Sequence, residues 1–258
     1  MDNQQLLTEI EAIIKEAGAI MLEAKQFHLQ QKEGNQNYVT QYDIEVENFL
    51  IKELSKLLPQ ASFLAEESPP LTEDDSDYCF IIDPIDGTTN FIHHVNHSAI
   101  SVALTYKKEA LLGLVYNPYT NEMFTGLLNS GAYLNQVPIN VSQRSFSDSI
   151  IAFGTTPYDR NYHKATMDTV YRCLGRSRET RRMGTASLDL VYLACGRFDG
   201  FFEYKLQPWD YAAGSLIITE AQGLITTKQG EKIDLFHPCS IVAGNHLVYY
   251  ELMNIVEK

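Results

Sequence analysis

The sequence predicts an α+β arrangement over its first part and an α/β arrangement over its second, within one compact unit. Three observations carry that expectation. An amphipathic helical stripe opens the chain, a run of short apolar segments separated by turns fills its middle, and strand-like and helix-like segments alternate from about residue 145. At the N-terminus Leu6, Ile10, Ile13, Ala17, Ile20, Met21 and Ala24 recur at three- and four-residue spacing, which predicts a helix. Gly34 ends the pattern, with Asn35 and Asn37 at the turn. An extended piece over 38–40 precedes a second helix from about Asp43, with Val46, Leu50, Leu54 and Leu57 on its apolar face and Pro59 as its stop. Thr40 followed by Asp43 fits a capping box. Residues 62–65 and 79–82 read as short strands. Segments 97–106, 110–116, 122–126 and one near Tyr133 read as an antiparallel meander, turned at Lys107-Lys108, Asn117-Pro118 and Asn129-Ser130-Gly131.

Alternation follows: strand 149–153, helix 162–174, strand 179–182, helix 187–195 and strand 198–204. A helix opened by Pro208 runs to Ala221 with Gly223 as its C-terminal cap, and a strand over 240–243 and a helix from about His246 close the chain. The expected division is an α+β part over 1–142 and an α/β part over 143–258, sharing one rigid body.

With 258 residues the chain can bury roughly three quarters of its unfolded surface and needs no disulfide or metal staple. Its net charge of −13 argues against nucleic acid and against an anionic membrane as partners, because both present phosphates that call for a basic footprint. No apolar run approaches the roughly 18 residues of a membrane span, and the start MDNQQLLTEIEAII does not read as a secretory signal. Cys79, Cys173, Cys195 and Cys239 lie far apart without a CxxC pair, so they read as free thiols of a cytoplasmic protein.

The window FIIDPIDGTTNF, residues 80–91, is the most informative. An apolar strand ends at Ile82, and Asp83 and Asp86 follow in a loop rich in small donors. Gly87 permits close backbone approach to a ligand, and a short helix starting there would offer N–H groups to a phosphate. Two like charges at about 4 Å repel by about 4 kcal/mol at an effective dielectric near 20. Pointing apart into solvent, protonation or a hard cation such as Mg²⁺ relieves that. Glu66 and Glu67 end the SFLAEES segment, where a solvated edge is the structural alternative. Asp210 in QPWDYAAG lies in a first helical turn, where it caps the helix or stays ionised for a ligand.

Together, the EES strand end, DPIDGTTNF and WDYAAG, with Asp43 upstream, closely resemble the inositol monophosphatase family of magnesium-dependent, lithium-sensitive phosphomonoesterases. The resemblance covers most of the chain and implies a layered αβαβα sandwich of the inositol monophosphatase / fructose-1,6-bisphosphatase type, commonly a homodimer. It implies two to three Mg²⁺ per subunit. Glu66, Asp83 and the Ile85 carbonyl match ligands of the first ion. Asp83, Asp86 and Asp210 match those of the second, and Glu66 reaches a third. Thr88, polarised by Asp43, matches the pair that orients the attacking water, with Glu66 also counted as catalytic. Gly87 and Thr88 match the phosphate contacts, with Thr89 beside them. Gly184, Thr185 and Ala186 match the sugar-pocket lining, and Glu203 with Asp86 the carboxylates that hold inositol hydroxyls.

The implied reaction is hydrolysis of inositol monophosphate by metal-activated water without a covalent intermediate. Two departures stand out: Ala65 occupies a usual glycine position, and RRMGTAS is unusually basic, with Arg178, Arg181 and Arg182 nearby. Those arginines could hold a second phosphate. The same chemistry on NADP, a 3′-phosphoadenosine nucleotide or fructose 1,6-bisphosphate therefore stays open, as does a non-catalytic interaction protein on the same fold.

Rival motifs are poor. The acids of DPID lack the Asp-x-Asp spacing of haloacid-dehalogenase-type phosphatases, and no Gly-Lys-Ser/Thr loop occurs. His93, His94 and His97 lack the HExxH pattern and read as surface or satisfied histidines. Trp209 reads as a packing anchor, and the acidic stretch 73–77 as a solvated loop.

Overall fold

A computed structural model describes residues 2–31, 38–69 and 76–257. The turn expected at Gly34, Asn35 and Asn37 lies outside these residues, as does most of the acidic stretch 73–77. Helix α1 (Asn3–Glu23) is capped by Asp2 and buries Leu6, Leu7, Ile10, Ile14, Ala17 and Met21. The buried stripe is thus centred one position from the expected one, with Ile13 and Ile20 at its edge. A small ribbon of β1 (Leu29–Gln31) and β2 (Tyr38–Thr40) leads into α2 (Gln41–Leu57), whose start is the expected capping box.

The first large sheet contains β3 (Ser62–Ala65), β4 (Tyr78–Asp86), β5 (Ala99–Tyr106), β6 (Glu109–Asn117), β7 (Glu122–Leu127), β8 (Ala132–Leu134) and β9 (Val137–Ile139), neighbours in that order. Only β3 and β4 pair in parallel, and the rest form the expected meander. Lys107 and Lys108 both adopt positive φ at the β5–β6 turn, the conformation of a tight hairpin loop. The five-residue helix α3 (Thr88–Ile92) leaves the end of β4. Strand β9 carried no distinct signal, because VPI is three residues and contains a proline.

The second sheet has the order β11-β10-β12-β14-β13. It is built from β10 (Ile150–Phe153), β11 (Glu179–Arg181), β12 (Gly200–Leu206), β13 (Leu224–Thr226) and β14 (Cys239–Gly244). Helices α4 (His163–Leu174), α5 (Ala186–Ala194), α6 (Pro208–Glu220) and α7 (Val248–Val256) intervene. Three hydrophobic clusters separate the layers. Helices α1 and α2 pack on the outer face of the first sheet, α5 and α6 lie between the sheets, and α4 and α7 cover the far face of the second. The architecture is therefore the αβαβα sandwich. Buried side chains such as Phe80, Ile82, Leu50 and Ile14 each contribute about 1.5–3 kcal/mol to this packing.

Helix α6 explains its own sequence. It touches both sheets, so it is apolar all round rather than amphipathic, and Gly113 of β6 allows it to lie close. A Cβ at Gly113 would sit 2.6 Å from the Ala213 carbonyl oxygen. At the end of α6 the Gly223 N–H caps the Ile218 carbonyl at 2.8 Å, as expected, while Gln222 before it adopts the left-handed conformation.

Candidate metal and phosphate site

The site forms where β4 ends, and a register shift there decides its chemistry. Strand β4 continues past Ile82, where the sequence reading ended it, as far as Asp86. In a regular strand, residues three apart face opposite sides. Here Asp83 pairs with Ser101 and Asp86 with Ala99, so three steps on β4 match two on β5. That bulge turns both carboxylates to one side. Asp210 arrives from the first turn of α6, where its Oδ2 accepts the Gln207 N–H at 2.7 Å. One ligand oxygen from each of Asp83, Asp86 and Asp210 lies within 4.8 Å of the others. Glu66, half-buried at the end of β3, lines the same cavity.

The electrostatics follow from that crowding. Asp83 is 1% exposed, and burial, then the charges of Glu66, Asp86 and Asp210, hold its carboxyl well above the usual carboxylate range. Burial first, then Asp86 and Glu66, do the same to Asp210. Asp86 is pushed up to about 6 by burial, an effect limited by Ser187, whose N–H and hydroxyl donate to its Oδ2 at 2.7 and 2.5 Å. An all-oxygen, mutually repelling, largely buried donor set suits a hard cation such as Mg²⁺ better than a thiolate- or imidazole-seeking metal.

Around this cluster is a cavity of about 380 Å³, lined by Ile85, Gly87, Thr88, Thr89, Gly184, Thr185, Ala186 and Glu203 among others. Gly87 has φ 86°, and a Cβ there would lie 2.3 Å from the Thr185 hydroxyl, so only glycine fits. The Thr185 hydroxyl is engaged with the His97 carbonyl at 2.7 Å, which ties this wall to the β4–β5 connection. Glu203 of β12 accepts the Thr156 N–H at 2.7 Å, and burial pushes its carboxyl up to about 7.

Asp43 lies beneath Thr88 rather than in the cavity lining. Its Oδ2 takes the Thr40 N–H at 2.7 Å and the Thr40 hydroxyl at 2.6 Å. Its Oδ1 faces the Thr88 hydroxyl at 3.4 Å, and that hydroxyl also lies 3.2 Å from the Ile85 carbonyl. The capping and site readings of Asp43 are therefore compatible, one oxygen serving each. Burial pushes this carboxyl up to about 6.

Each of Asp43, Glu66, Asp83, Ile85, Asp86, Gly87, Thr88, Thr89, Gly184, Thr185, Ala186, Glu203 and Asp210 thus lies in or directly behind one cavity. The basic segment divides. Arg178 pairs with Asp148 at 2.7 Å and Arg181 with Glu179 at 3.3 Å, whereas Arg182 lines the cavity. His93 and His94 are exposed and His97 is buried, so the three do not converge. Trp209 packs against the inter-sheet cluster, as expected, and also lines the cavity.

Three contributors went unnoticed in the sequence. Glu47, one turn beyond Asp43, accepts the Glu67 N–H at 2.8 Å and the Ser68 hydroxyl at 2.6 Å, which anchors the segment carrying Glu66. Its signal was a charge on the buried face of α2. Ser187 and Asp189 signal themselves only as polar residues within an otherwise apolar helix.

The Inositol monophosphatase family profile matches residues 2–257. The chain belongs to that family. It is 40% identical over 226 residues to an inositol-1-monophosphatase of Rhizobium meliloti, covering 87% of this chain and 85% of that protein. It is 38% identical over 215 residues to the Nus factor SuhB of Escherichia coli, covering 83% and 80%. A solved structure of the extragenic suppressor protein suhB from Bartonella henselae superposes with a TM-score of 0.92, at 35% identity, over 98% of this chain and 99% of that one.

Proposed function

We propose that this protein is a Mg²⁺-dependent phosphomonoesterase that hydrolyses inositol monophosphate to inositol and phosphate. The observation that carries the reading is the triad of Asp83 and Asp86, both buried, and half-buried Asp210 within 4.8 Å, opening onto a cavity that also holds Glu203. Glu66, Asp83, the Ile85 carbonyl, Asp86 and Asp210 would hold two to three ions. Bound there, Mg²⁺ supplies positive charge to the phosphate and increases the acidity of water.

The chain's own contribution is positioning. With Asp43 Oδ2 fixed by two Thr40 donors, the carboxylate cannot turn, and Oδ1 accepts a hydrogen bond from the Thr88 hydroxyl. The Thr88 oxygen then keeps a lone pair for a water entering from the cavity, and orients it towards phosphorus. Attack by that water forms one P–O bond and breaks the ester P–O bond, and the proton that the water gives up balances the one taken up by the departing alcohol oxygen. Gly87 and Thr88, at the start of α3, support the phosphate, and Thr89 stands beside them. Glu203 and Asp86 accept sugar hydroxyls along the wall of Gly184, Thr185 and Ala186.

Phosphate release from inositol 1-phosphate, NADP, 3′-phosphoadenosine 5′-phosphate and fructose 1,6-bisphosphate at equal concentration, with Mg²⁺ and with EDTA, tests the reading. The highest kcat/KM is expected for the inositol ester, and release that persists in EDTA would refute it. On this reading the protein is a cytoplasmic homodimer inhibited by Li⁺, with no nucleic-acid or membrane partner. A second reading, an interaction protein on the same fold, is favoured by the similarity to Nus factor SuhB. It requires no turnover of any ester, and no thermal shift with Mg²⁺ and phosphate.

A further inference from the structure

Helix α5 carries a single charged side chain, Asp189, among Leu188, Leu190, Val191, Leu193 and Ala194. It is 1% exposed, and it lines the cavity. Its Oδ1 is buried with no hydrogen-bond partner. A buried carboxylate oxygen without a donor is costly, on the order of 1–3 kcal/mol or more, so its retention calls for an explanation.

The nearby serine and threonine donors are engaged elsewhere. The Ser187 N–H and hydroxyl both serve Asp86, the Thr185 hydroxyl serves the His97 carbonyl, and the Thr156 N–H serves Glu203. The position near the start of α5 favours negative charge but supplies no hydrogen bond to this side chain. Around it, Asp86 and Glu203 are further acceptors; burial first, and then these two charges, disfavour its ionisation, while the Arg182 guanidinium acts in the opposite sense. This wall of the cavity therefore presents an excess of acceptors, and it is complemented by a ligand rich in hydroxyl donors.

We infer that Asp189 is a specificity-determining residue which accepts a hydrogen bond from a hydroxyl of the substrate's alcohol moiety, beside Glu203 and Asp86. The inference rests on the phosphomonoesterase reading and deepens it. The alcohol must be a polyol with several adjacent hydroxyls, because an apolar leaving group would leave these carboxylates unpaired.

The test compares wild type with Asp189→Ala and Asp189→Asn, on inositol 1-phosphate and on p-nitrophenyl phosphate, whose leaving group has no further hydroxyl. The ratio of kcat/KM for the inositol ester to that for the aryl ester should fall about 10- to 100-fold in Asp189→Ala, mainly through KM. Asp189→Asn, which keeps an acceptor and the shape, should recover part of the ratio. A ratio unchanged in Asp189→Ala overturns the inference, whether both rates fall together or neither falls. Wild-type protein that hydrolyses neither ester overturns the phosphomonoesterase reading itself, which is a separate result.

Discussion

Replacing Asp83 by Asn should make the metal-free protein more stable while abolishing its response to Mg²⁺. Asp83 is buried, and its ligand oxygen lies within 4.8 Å of those of Asp86 and Asp210. Each ionised pair at that distance costs about 3 kcal/mol at an effective dielectric near 20. The amide keeps Oδ1 as acceptor for the Ile85 N–H, 3.1 Å away, so the local turn survives. The sign with pH is fixed. The folded pKa of Asp83 is raised above 3.8, so between these values the native state holds a proton that the unfolded state has lost. Wild-type stability from this group therefore falls as pH rises through that window, and the deficit persists above it.

In EDTA near pH 8, Asp83→Asn should gain about 3 kcal/mol, or a Tm increase of roughly 6–12 °C, and near pH 4 the gain should almost vanish. Saturating Mg²⁺ at a hundred times its Kd should stabilise wild type by about 2.7 kcal/mol and leave the variant unmoved. Phosphate release should fall at least about a hundredfold. Thermal melts at both pH values, with EDTA and with Mg²⁺, decide it. A variant that melts no higher than wild type in EDTA near pH 8, or that still shifts with Mg²⁺, would refute the reasoning.

Two further outcomes are expected. Ser187→Ala removes the hydroxyl at 2.5 Å from Asp86 and so raises that carboxyl's proton affinity beyond about 6. The Mg²⁺ midpoint for activity should rise about tenfold at neutral pH and less at alkaline pH, and an unchanged midpoint would count against the donor role. We also propose that parts 1–142 and 143–258 unfold as one cooperative unit, because α5 and α6 pack on both sheets. Urea transitions followed by Trp209 fluorescence and by far-ultraviolet dichroism should coincide, and two separate midpoints would show independent parts.

Local signals announced most of the elements. The capping box at Thr40 and Asp43, the Lys107-Lys108 turn and Pro208 at the first turn of α6 each satisfy their own backbone within a few residues, so they can be read without the fold. The three-residue strands β9 and β13 were missed while β2, β8 and β11, equally short, were read, because a segment without a period of its own is legible only where its flanking residues mark it.

By itself, then, the sequence determined the inventory: five acidic side chains at 43, 66, 83, 86 and 210, the glycine that must follow Asp86, and the alternation that sets the layers. Only the tertiary structure decided their meaning. The bulge after Asp83 turns two carboxylates to one side, and α6 brings Asp210 from more than a hundred residues away to complete the triad. Glu47, Ser187 and Asp189 acquire roles only through burial against those groups. The physical reason is range: caps and turns act over a few residues, whereas repulsion between carboxylates and the cost of an unpaired oxygen depend on which distant segments share a space from which water is excluded.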